Sequence, residues 1–315
     1  MSEFAIEVVD LVKVFSRRGQ PAVRAVNGLS FAVPKGTIFG LLGPNGAGKS
    51  TTLRILTTLA RPTSGRALVA GHDVVTSALD VRRNIAAVIQ ENAADLLLSV
   101  RDNLTTYGRF HGLAPSDIAR RADRVLEEFG LVEEAGRKVM DLSGGYRRRV
   151  QVAKAFMVET PVLFLDEFTT GMDPILKRQV MSSLRAQADR GRTIVLTTHI
   201  LTEAEELCED ILIINGGRQV ARGDLNALKL LSQGVYEVTM TLDRVPEGLE
   251  EELRARGPLR LRVNGSTVEV ALKEDEARVL ALVADLARRA RVLRVEITGA
   301  DLEDVFVELT GEKER

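Results

Sequence analysis

The chain is poor in cysteine and in aromatic residues. Its 315 residues include one cysteine, Cys208, no tryptophan and only 4% aromatic residues. A single thiol cannot form an internal disulfide, so a disulfide framework is excluded. One unpaired thiol also favours a reducing compartment such as the cytosol.

Long apolar runs are also missing. The longest are short segments such as Val162-Leu163-Phe164-Leu165 and Ile194-Val195-Leu196, well below the roughly 18–20 residues that span a bilayer. The N-terminus contains Glu3 and Glu7 and no basic region followed by an apolar one, which argues against a secretory signal. We therefore expect any association with a membrane to go through another chain.

Neither sign of charge is in excess. Lys and Arg number 43 against 44 Asp and Glu, which gives a formal net charge of −1. Because binding to a phosphate backbone needs a broad basic surface, we expect no nucleic acid partner. The composition, 45% hydrophobic and 28% charged, is that of an ordinary globular protein. The length predicts one large domain and a second, smaller one.

The hydrophobic pattern of the first two thirds predicts an α/β domain. Two early segments alternate apolar and polar residues, as half-buried strands do, and the later strands are continuously apolar, as in a parallel sheet. A region from about residue 92 to 160 has helical periodicity. The other predicted elements are strands at Phe4–Val14, Val26–Val33, Thr37–Leu42, Val162–Leu165 and Thr193–Thr197, and helices at Lys49–Leu59 and Pro174–Asp189.

The pattern changes after about Leu231. The order of elements there, β-α-β-β-α-β, predicts a small α+β domain of the ferredoxin-like type over residues 231–315, after a first domain over residues 1–230. The predicted elements are strands at Tyr236–Leu242, Pro258–Val263, Thr267–Leu272 and Val292–Ile297, and helices at Pro246–Arg256, Glu274–Arg289 and Ala300–Leu309.

A glycine-rich loop lies between the third strand and the first helix. The segment Gly43-Pro44-Asn45-Gly46-Ala47-Gly48-Lys49-Ser50 fits the P-loop pattern, in which backbone N–H groups and a helix N-terminus surround phosphates. Lys49 is predicted to reach the β- and γ-phosphates and Ser50 to ligate Mg²⁺. Thr51, the next residue, is also a candidate for nucleotide binding. The pattern and its place predict binding of a nucleotide.

Two carboxylates end the apolar strand Leu163-Phe164-Leu165-Asp166-Glu167. In P-loop proteins an acidic residue at such a strand end holds Mg²⁺, a role predicted for Asp166. Glu167 is a candidate general base for an attacking water. By itself, the segment could also be a solvated strand end, which is the less favoured interpretation.

A second candidate phosphate site is Leu142-Ser143-Gly144-Gly145, directly before a helical run. The Ser143 hydroxyl and the N–H groups of Gly144 and Gly145 would lie at a helix N-terminus, where anions are stabilised. Taken alone, the segment is more typical of an ordinary capped helix start.

These three motifs, in this order, resemble the nucleotide-binding subunit of ABC transporters over roughly residues 4–225. The resemblance implies a P-loop NTPase fold of ABC type, with a mixed sheet, an antiparallel β subdomain and a helical subdomain. It also implies two ATP molecules sandwiched in a head-to-tail dimer, homodimeric or heterodimeric, in which the Leu142–Gly145 segment of one subunit closes over the P-loop of the other. The partners would be transmembrane permease subunits, with this chain on the cytoplasmic face of the membrane.

Further roles follow from the resemblance alone. Gln90 matches a glutamine that touches Mg²⁺ and the attacking water, and His199 matches a switch histidine at the γ-phosphate. Phe15 stands where an aromatic ring stacks on adenine. Asp173 matches an aspartate that crosses the dimer interface, although an N-cap of the following helix is an equally physical role for it.

The chain departs from the family pattern at two positions. Tyr146 stands where glutamine is typical, and Phe168 replaces the proline that usually follows the catalytic glutamate. Neither removes a phosphate ligand, but both could alter how the dimer closes. The C-terminal domain and the tail Asp301–Phe306 resemble the drug-resistance and antibiotic-export branch, which implies export.

Other P-loop proteins remain as alternatives. A GTPase should carry an Asn-Lys-x-Asp element, which the sequence lacks, and neither a GTPase nor a small-molecule kinase has a use for Leu142–Gly145. An ABC-type ATPase without a transport role is the nearer alternative. Such proteins typically carry paired cassettes or long coiled-coil insertions, whereas this chain has one cassette.

Overall fold

The computed structural model describes residues 3–16, 19, 21–89, 94–229, 231, 235–273, 276–299 and 302–310. The chain divides into two compact units, Met1–Gln219 and Val220–Arg315. This division precedes the predicted boundary between residues 230 and 231, because the short helix Leu225–Lys229 packs with the last helix of the chain.

The strands of the first unit form two sheets. In chain order they are β1 (Phe4–Phe15), β2 (Val23–Pro34), β3 (Ile38–Leu42), β4 (Ser64–Val69), β5 (His72–Asp73), β6 (Ile85–Val88), β7 (Val162–Asp166), β8 (Thr193–Thr198) and β9 (Asp210–Asn215), followed by β10 (Arg218–Gly223), in which the division falls. One sheet has the order β2-β1-β4-β5 and is antiparallel. The other has the order β10-β9-β3-β8-β7-β6, and its strands from β9 to β6 are parallel.

Helices connect and cover these strands. In chain order they are α1 (Lys49–Leu56), α2 (Ala78–Arg83), α3 (Val100–Phe110), α4 (Pro115–Glu128), α5 (Gly144–Phe156), α6 (Pro174–Ala188) and α7 (Leu201–Leu207), with a 3₁₀ turn at Val139–Asp141. Among the described helices, none is both long and apolar enough to cross a membrane.

The parallel sheet is buried through its centre. Every residue of β3, β7 and β8 is buried, as expected for parallel strands with both faces covered. The two sheets of the unit share one apolar core, in which the stacked rings of Phe31 and Phe39 lie 5.5 Å apart. Because β3, β7 and β8 are neighbours and parallel, their carboxyl ends meet at one edge of the sheet.

The helical region contains α3, α4 and α5, within the range predicted for a helical subdomain. Helix α3 begins at a capped residue, since the Ser99 hydroxyl accepts a hydrogen bond from the Asp102 N–H. The Phe129 and Phe156 rings meet edge to face, with their centroids 5.0 Å apart. This contact holds α5 against α4, and the Leu142–Gly145 motif leads into the first turn of α5.

The second unit continues with α8 (Leu225–Lys229) and then has the order β-α-β-β-α-β. The elements are β11 (Val235–Leu242), α9 (Leu249–Ala255), β12 (Arg260–Asn264), β13 (Thr267–Lys273), α10 (Glu276–Arg289), β14 (Val292–Gly299) and α11 (Leu302–Thr310). The four strands form an antiparallel sheet of order β12-β13-β11-β14. A separate apolar core lies among these strands and helices α9 and α10.

Candidate functional site

The glycine loop between β3 and α1 is held against two backbone carbonyls. A Cβ at Gly43 would lie 2.2 Å from the Ile214 carbonyl oxygen, and one at Gly48, where φ is +106°, would lie 2.3 Å from the Ala25 oxygen. Any side chain at either position would therefore displace backbone. At the loop tip Asn45 and Gly46 are exposed. The two ends of the loop therefore pack closely against backbone, whereas its tip is accessible to a ligand.

Lys49, the first residue of α1, is buried, with 6% of its surface exposed. Its ammonium Nζ donates to the carbonyl oxygens of Gly43, at 2.5 Å, and Pro44, at 3.0 Å. Buried Ala47 and partly buried Thr51 flank this region. The Lys49 ammonium therefore lies inside the loop. Phosphate oxygens of a bound nucleotide would compete with the two carbonyl oxygens for its hydrogen bonds.

Three oxygen-bearing side chains meet at the edge of the sheet. The Ser50 hydroxyl lies 3.4 Å from Asp166 Oδ1, and the Thr197 hydroxyl also donates to that oxygen. Asp166 is 3% exposed. A hydroxyl beside a buried carboxylate is a set of hard oxygen ligands of the kind that Mg²⁺ takes. The residues present therefore fit Mg²⁺ at Ser50 and Asp166. Thr197, which the sequence did not indicate, orients the carboxylate.

Glu167 has an uncommon backbone conformation. Its φ is +47°, in the left-handed region that costs a non-glycine residue about 1–2 kcal/mol. The Glu167 N–H donates to the Thr197 carbonyl at 3.0 Å, which fixes the turn. The carboxylate Oε1 lies 3.0 Å from His199 Nδ1. The structure thus brings together the predicted base and the predicted switch histidine, which are 32 residues apart in sequence.

Arg148 supports the same turn from α5, a role that the sequence did not reveal. Its Nη2 donates to the carbonyl oxygens of Asp166 and Glu167, and its Nη1 donates to the Ile89 carbonyl at 3.1 Å. Burial lowers the pKa of Arg148, although the charges of the two nearby carboxylates oppose that shift. Gln90, the predicted Mg²⁺ and water ligand, follows Ile89 and lies outside the described residues.

Glu203 on α7 is a second residue that sequence reasoning missed. Its side chain is 1% exposed, and its Oε1 lies 2.7 Å from the Lys177 ammonium. It accepts hydrogen bonds from the hydroxyls of Thr169, at 2.6 Å, and Thr198, at 2.9 Å. Glu203 therefore ties the segment after Glu167 to the end of β8. No local pattern distinguishes it from the other acidic residues of α7.

The Leu142–Gly145 motif forms the start of α5. Ser143 is the N-cap, and its hydroxyl accepts a hydrogen bond from the Tyr146 N–H at 3.5 Å. Ser143 and Gly144 are exposed. A Cβ at Gly145 would lie 2.7 Å from the Gly171 carbonyl oxygen, so only glycine fits. The motif is both a capped helix start and an open helix N-terminus.

Tyr146 and Asp173 are linked through Arg149. The Arg149 guanidinium lies over the Tyr146 ring, 4.6 Å from its centroid, and Nη2 is 2.6 Å from Asp173 Oδ2. The other Asp173 oxygen caps α6 by accepting from the Leu176 N–H at 3.0 Å. That hydrogen bond is the main reason why the pKa of Asp173 is lowered. The N-cap role considered for Asp173 is therefore present.

Two phenylalanines have opposite environments. Phe15, at the end of β1, is 47% exposed, and the Lys13 ammonium lies 5.0 Å from its ring centroid. An exposed ring is available for stacking on a base. Phe168, which departs from the family pattern directly after Glu167, is completely buried.

Comparisons with known proteins agree on one family. The family model described as "ABC transporter" matches residues 26–170. The daunorubicin/doxorubicin resistance ATP-binding protein DrrA of Streptomyces peucetius is 38% identical, over 98% of this chain and 92% of its own length. The Nod factor export ATP-binding protein I of Paraburkholderia xenovorans is 37% identical, over 99% and 98% of the two chains.

Solved structures agree as well. An ATP-binding subunit of an ABC transporter has a TM-score of 0.66 and 28% identity, over 72% of this chain and 92% of that one. A dimeric bacterial ABC transporter cassette has a TM-score of 0.65 and 25% identity, over 70% and 98% of the two chains.

Proposed function

The chain belongs to the ABC transporter family as an ATP-binding subunit with ATPase activity, and we propose that it powers export through separate transmembrane subunits by ATP-driven head-to-tail dimerisation. The observation that carries this proposal is one cluster at the edge of the parallel sheet. There the P-loop, the Ser50–Asp166 pair and the Glu167–His199 pair lie at the ends of β3, β7 and β8.

Binding of the phosphates is assigned to the P-loop. Lys49 would exchange its bonds to the Gly43 and Pro44 carbonyls for phosphate oxygens, a charge-assisted contact that is stronger than a neutral one. The N-terminus of α1 adds positive potential. Phe15 supplies an exposed ring for the adenine. The open tip at Asn45 and Gly46 supports entry of the nucleotide from that side.

Mg²⁺ would be held by the Ser50 hydroxyl and the Asp166 carboxylate, with Gln90 as a further ligand by resemblance to the family. When bound, the ion neutralises negative charge on the phosphates. Thr197 keeps the Asp166 carboxylate turned towards Ser50. Burial of Asp166 protects this arrangement from competing water.

Hydrolysis is assigned to Glu167 and His199. The Glu167 carboxylate takes a proton from a water whose oxygen attacks the γ-phosphorus, and the bond from that phosphorus to the bridging oxygen breaks to release ADP. His199 Nδ1, 3.0 Å from the carboxylate, orients it. Arg148 and Glu203 position the two segments that carry these side chains.

The exposed N-terminus of α5 supports the proposal of a second subunit. Ser143 and Gly144 present a hydroxyl and main-chain N–H groups to solvent, an arrangement that suits the γ-phosphate of a nucleotide bound elsewhere. The resemblance to the family supplies the partner, a second nucleotide-binding subunit whose P-loop holds that nucleotide. Asp173, next to this surface, would lie at the interface.

Transport through a permease is supported by the relatives and by an apolar surface. Both relatives carry resistance or export in their names. In the helical region Leu97 is 70% exposed and Met140 is 46% exposed. The two lie close together, because the Met140 N–H donates to the carbonyl of Leu96, the neighbour of Leu97. Exposed apolar residues of this kind suit a protein partner, and a permease would hold the chain at the cytoplasmic face of the membrane.

The ATPase assignment is tested by Lys49→Ala, with Lys35→Ala as a matched control. Lys35 is exposed and lies outside the loop. We expect Lys49→Ala to lose ATP binding and hydrolysis and Lys35→Ala to keep both. Equal activity in the two variants would contradict the P-loop assignment.

The transport assignment needs a separate test. We expect the chain to co-purify with a membrane-spanning subunit from its native host, and the complex to stimulate its ATPase activity. Failure to co-purify with any membrane-spanning subunit, together with an ATPase activity that membrane subunits leave unchanged, would favour the ABC-type ATPase without transport.

A further inference from the structure

The last strand of the second unit, β14, has one side open. In the sheet order β12-β13-β11-β14 it pairs with β11, and within the described residues no strand lies on its other side. Its apolar side chains are unusually exposed for a strand, at 59% for Leu293, 43% for Val295 and 37% for Ile297. An apolar edge strand of this kind is a template for pairing with another strand.

The residues of this strand are self-complementary about Val295. The order is Leu293-Arg294-Val295-Glu296-Ile297, with opposite charges on either side of the central valine and apolar residues beyond them. If two copies of β14 pair antiparallel with a two-fold axis at Val295, each Arg294 faces Glu296 of the second copy. Each Leu293 then faces Ile297, and Val295 faces itself.

We propose that β14 is an interface strand through which two copies of this chain pair, antiparallel and centred on Val295. The pairing joins two four-stranded sheets into one and gives the backbone groups of both edges partners. Opposite charges and apolar pairs directly across two antiparallel strands stabilise such a pairing. A two-fold axis also makes the interface isologous, the commonest symmetry of dimers.

The charges favour a second copy over another occupant. Within one chain, Arg294 Nη2 lies 2.9 Å from Glu296 Oε2, but the two side chains are 73% and 53% exposed, so this pair contributes little by itself. Across a two-fold axis the same residues make two Arg–Glu pairs without any further element. A partner strand of a single charge sign would attract one of these residues and repel the other.

The extent of the pairing is limited by a bulge. The register to β11 shifts between the pairs Thr241↔Arg294 and Leu242↔Val292, which leaves Leu293 unpaired. A bulge twists an edge strand, so the new contact is short: Val295 lies at its centre, and Leu293 and Ile297 lie at its two ends. This interface goes beyond the proposed function, because it uses no residue of the nucleotide site.

Cysteine cross-linking of the full-length chain tests the interface. The natural Cys208 is buried, and burial raises the pKa of its thiol, so it contributes little background. We expect Val295→Cys to form a disulfide-linked dimer under mild oxidation, because residues directly opposite each other on antiparallel strands have Cβ atoms close enough to link. Leu280→Cys, at a 51% exposed position on α10, is the matched control and should stay unlinked.

Charge reversal then tests the register. In the Val295→Cys chain, adding Arg294→Glu places like charges opposite each other and should slow cross-linking at least about fivefold. Adding Glu296→Arg to that variant restores opposite charges and should restore the rate. Cross-linking of Val295→Cys no faster than that of Leu280→Cys, or a double reversal that stays slow, would overturn the proposal.

An ATPase assay on the same variants keeps this interface separate from the proposed function. If the chain hydrolyses ATP but does not cross-link at Val295, only the proposed interface is contradicted. A chain that cross-links at Val295 but shows no ATPase activity contradicts the proposed function and leaves the interface standing.

Discussion

The two candidate phosphate sites of this chain differ in how they are built. At the P-loop, Lys49 is 6% exposed and Asp166 is 3% exposed, and their polar atoms are bonded to neighbours in the same unit. At the start of α5, Ser143 and Gly144 are exposed. The P-loop side is organised within one chain, whereas the α5 side presents its polar groups outward. A head-to-tail dimer requires this arrangement: each chain holds a nucleotide at its own P-loop and presents the start of its α5 to the nucleotide of the other chain.

The largest effect is expected at the P-loop side, from Glu167→Gln. Loss of the general base should cut hydrolysis about 10²-fold or more and leave ATP affinity unchanged. The variant should accumulate as an ATP-bound dimer, visible by size exclusion with ATP and Mg²⁺. Glu133→Gln, at an exposed position away from the site, is the control. Undiminished turnover in Glu167→Gln would show that Glu167 is not the general base.

A smaller loss of ATPase activity is expected from Glu203→Gln. This residue holds the segments of Glu167 and His199 in place but does not contact the substrate. The amide cannot pair with Lys177 and hold both threonine hydroxyls as the carboxylate does, so the Glu167 and His199 segments should lose alignment. We expect kcat to fall about tenfold, or about 1.4 kcal/mol, with KM for ATP nearly unchanged. If ATP affinity and the melting temperature both fell while kcat stayed the same, Glu203 would only stabilise the fold.

On the α5 side, Tyr146→Gln should have a modest effect. The Tyr146 ring contacts Arg149, and the candidate phosphate ligands are Ser143 and the two glycines. We expect steady-state ATPase activity to change by less than about tenfold. Tyr146→Phe, which keeps the ring over Arg149, should change it less still. Activity as low as in Ser143→Arg would show that the tyrosine is part of the closed site.

The smallest effect is expected from removal of residues 232–315. The candidate nucleotide-binding residues all precede this segment, so ATP affinity measured by calorimetry should stay within about twofold of the full chain. Far-ultraviolet circular dichroism would check that the shortened chain is folded. A folded chain without ATP binding would show that the second unit supports the site.

The motifs were predictable from sequence because each is a short, continuous segment. The P-loop, the Leu142–Gly145 segment and the acidic strand end were recognisable in this way, and comparison with known proteins confirms the family and the fold of ABC type. Strand β7 was predicted at Val162–Leu165 and observed at Val162–Asp166, because a fully buried parallel strand is a continuous apolar run. The roles of the individual site residues remain predictions.

The supporting contacts were not predictable, because they join segments that are distant in sequence. Arg148 looked like one arginine in a basic run, yet it bonds to main-chain carbonyls on two other strand ends. Glu203 and Thr197 likewise gain their roles only when β7, β8 and α7 come together. Strands β4, β6 and β9 were also missed, although Gly216 directly follows β9 and Gly71 lies two residues after β4.

The central claim, that each site takes its P-loop from one chain and Ser143 from another, is tested most directly by mixing two inactive variants. Lys49→Ala and Ser143→Arg should each have almost no ATPase activity alone. In a mixed dimer, one site combines the intact P-loop of the Ser143→Arg chain with the intact Ser143 of the Lys49→Ala chain. An equimolar mixture should therefore recover up to about a quarter of the wild-type sites. Activity in the mixture no higher than that of either variant alone would contradict the account.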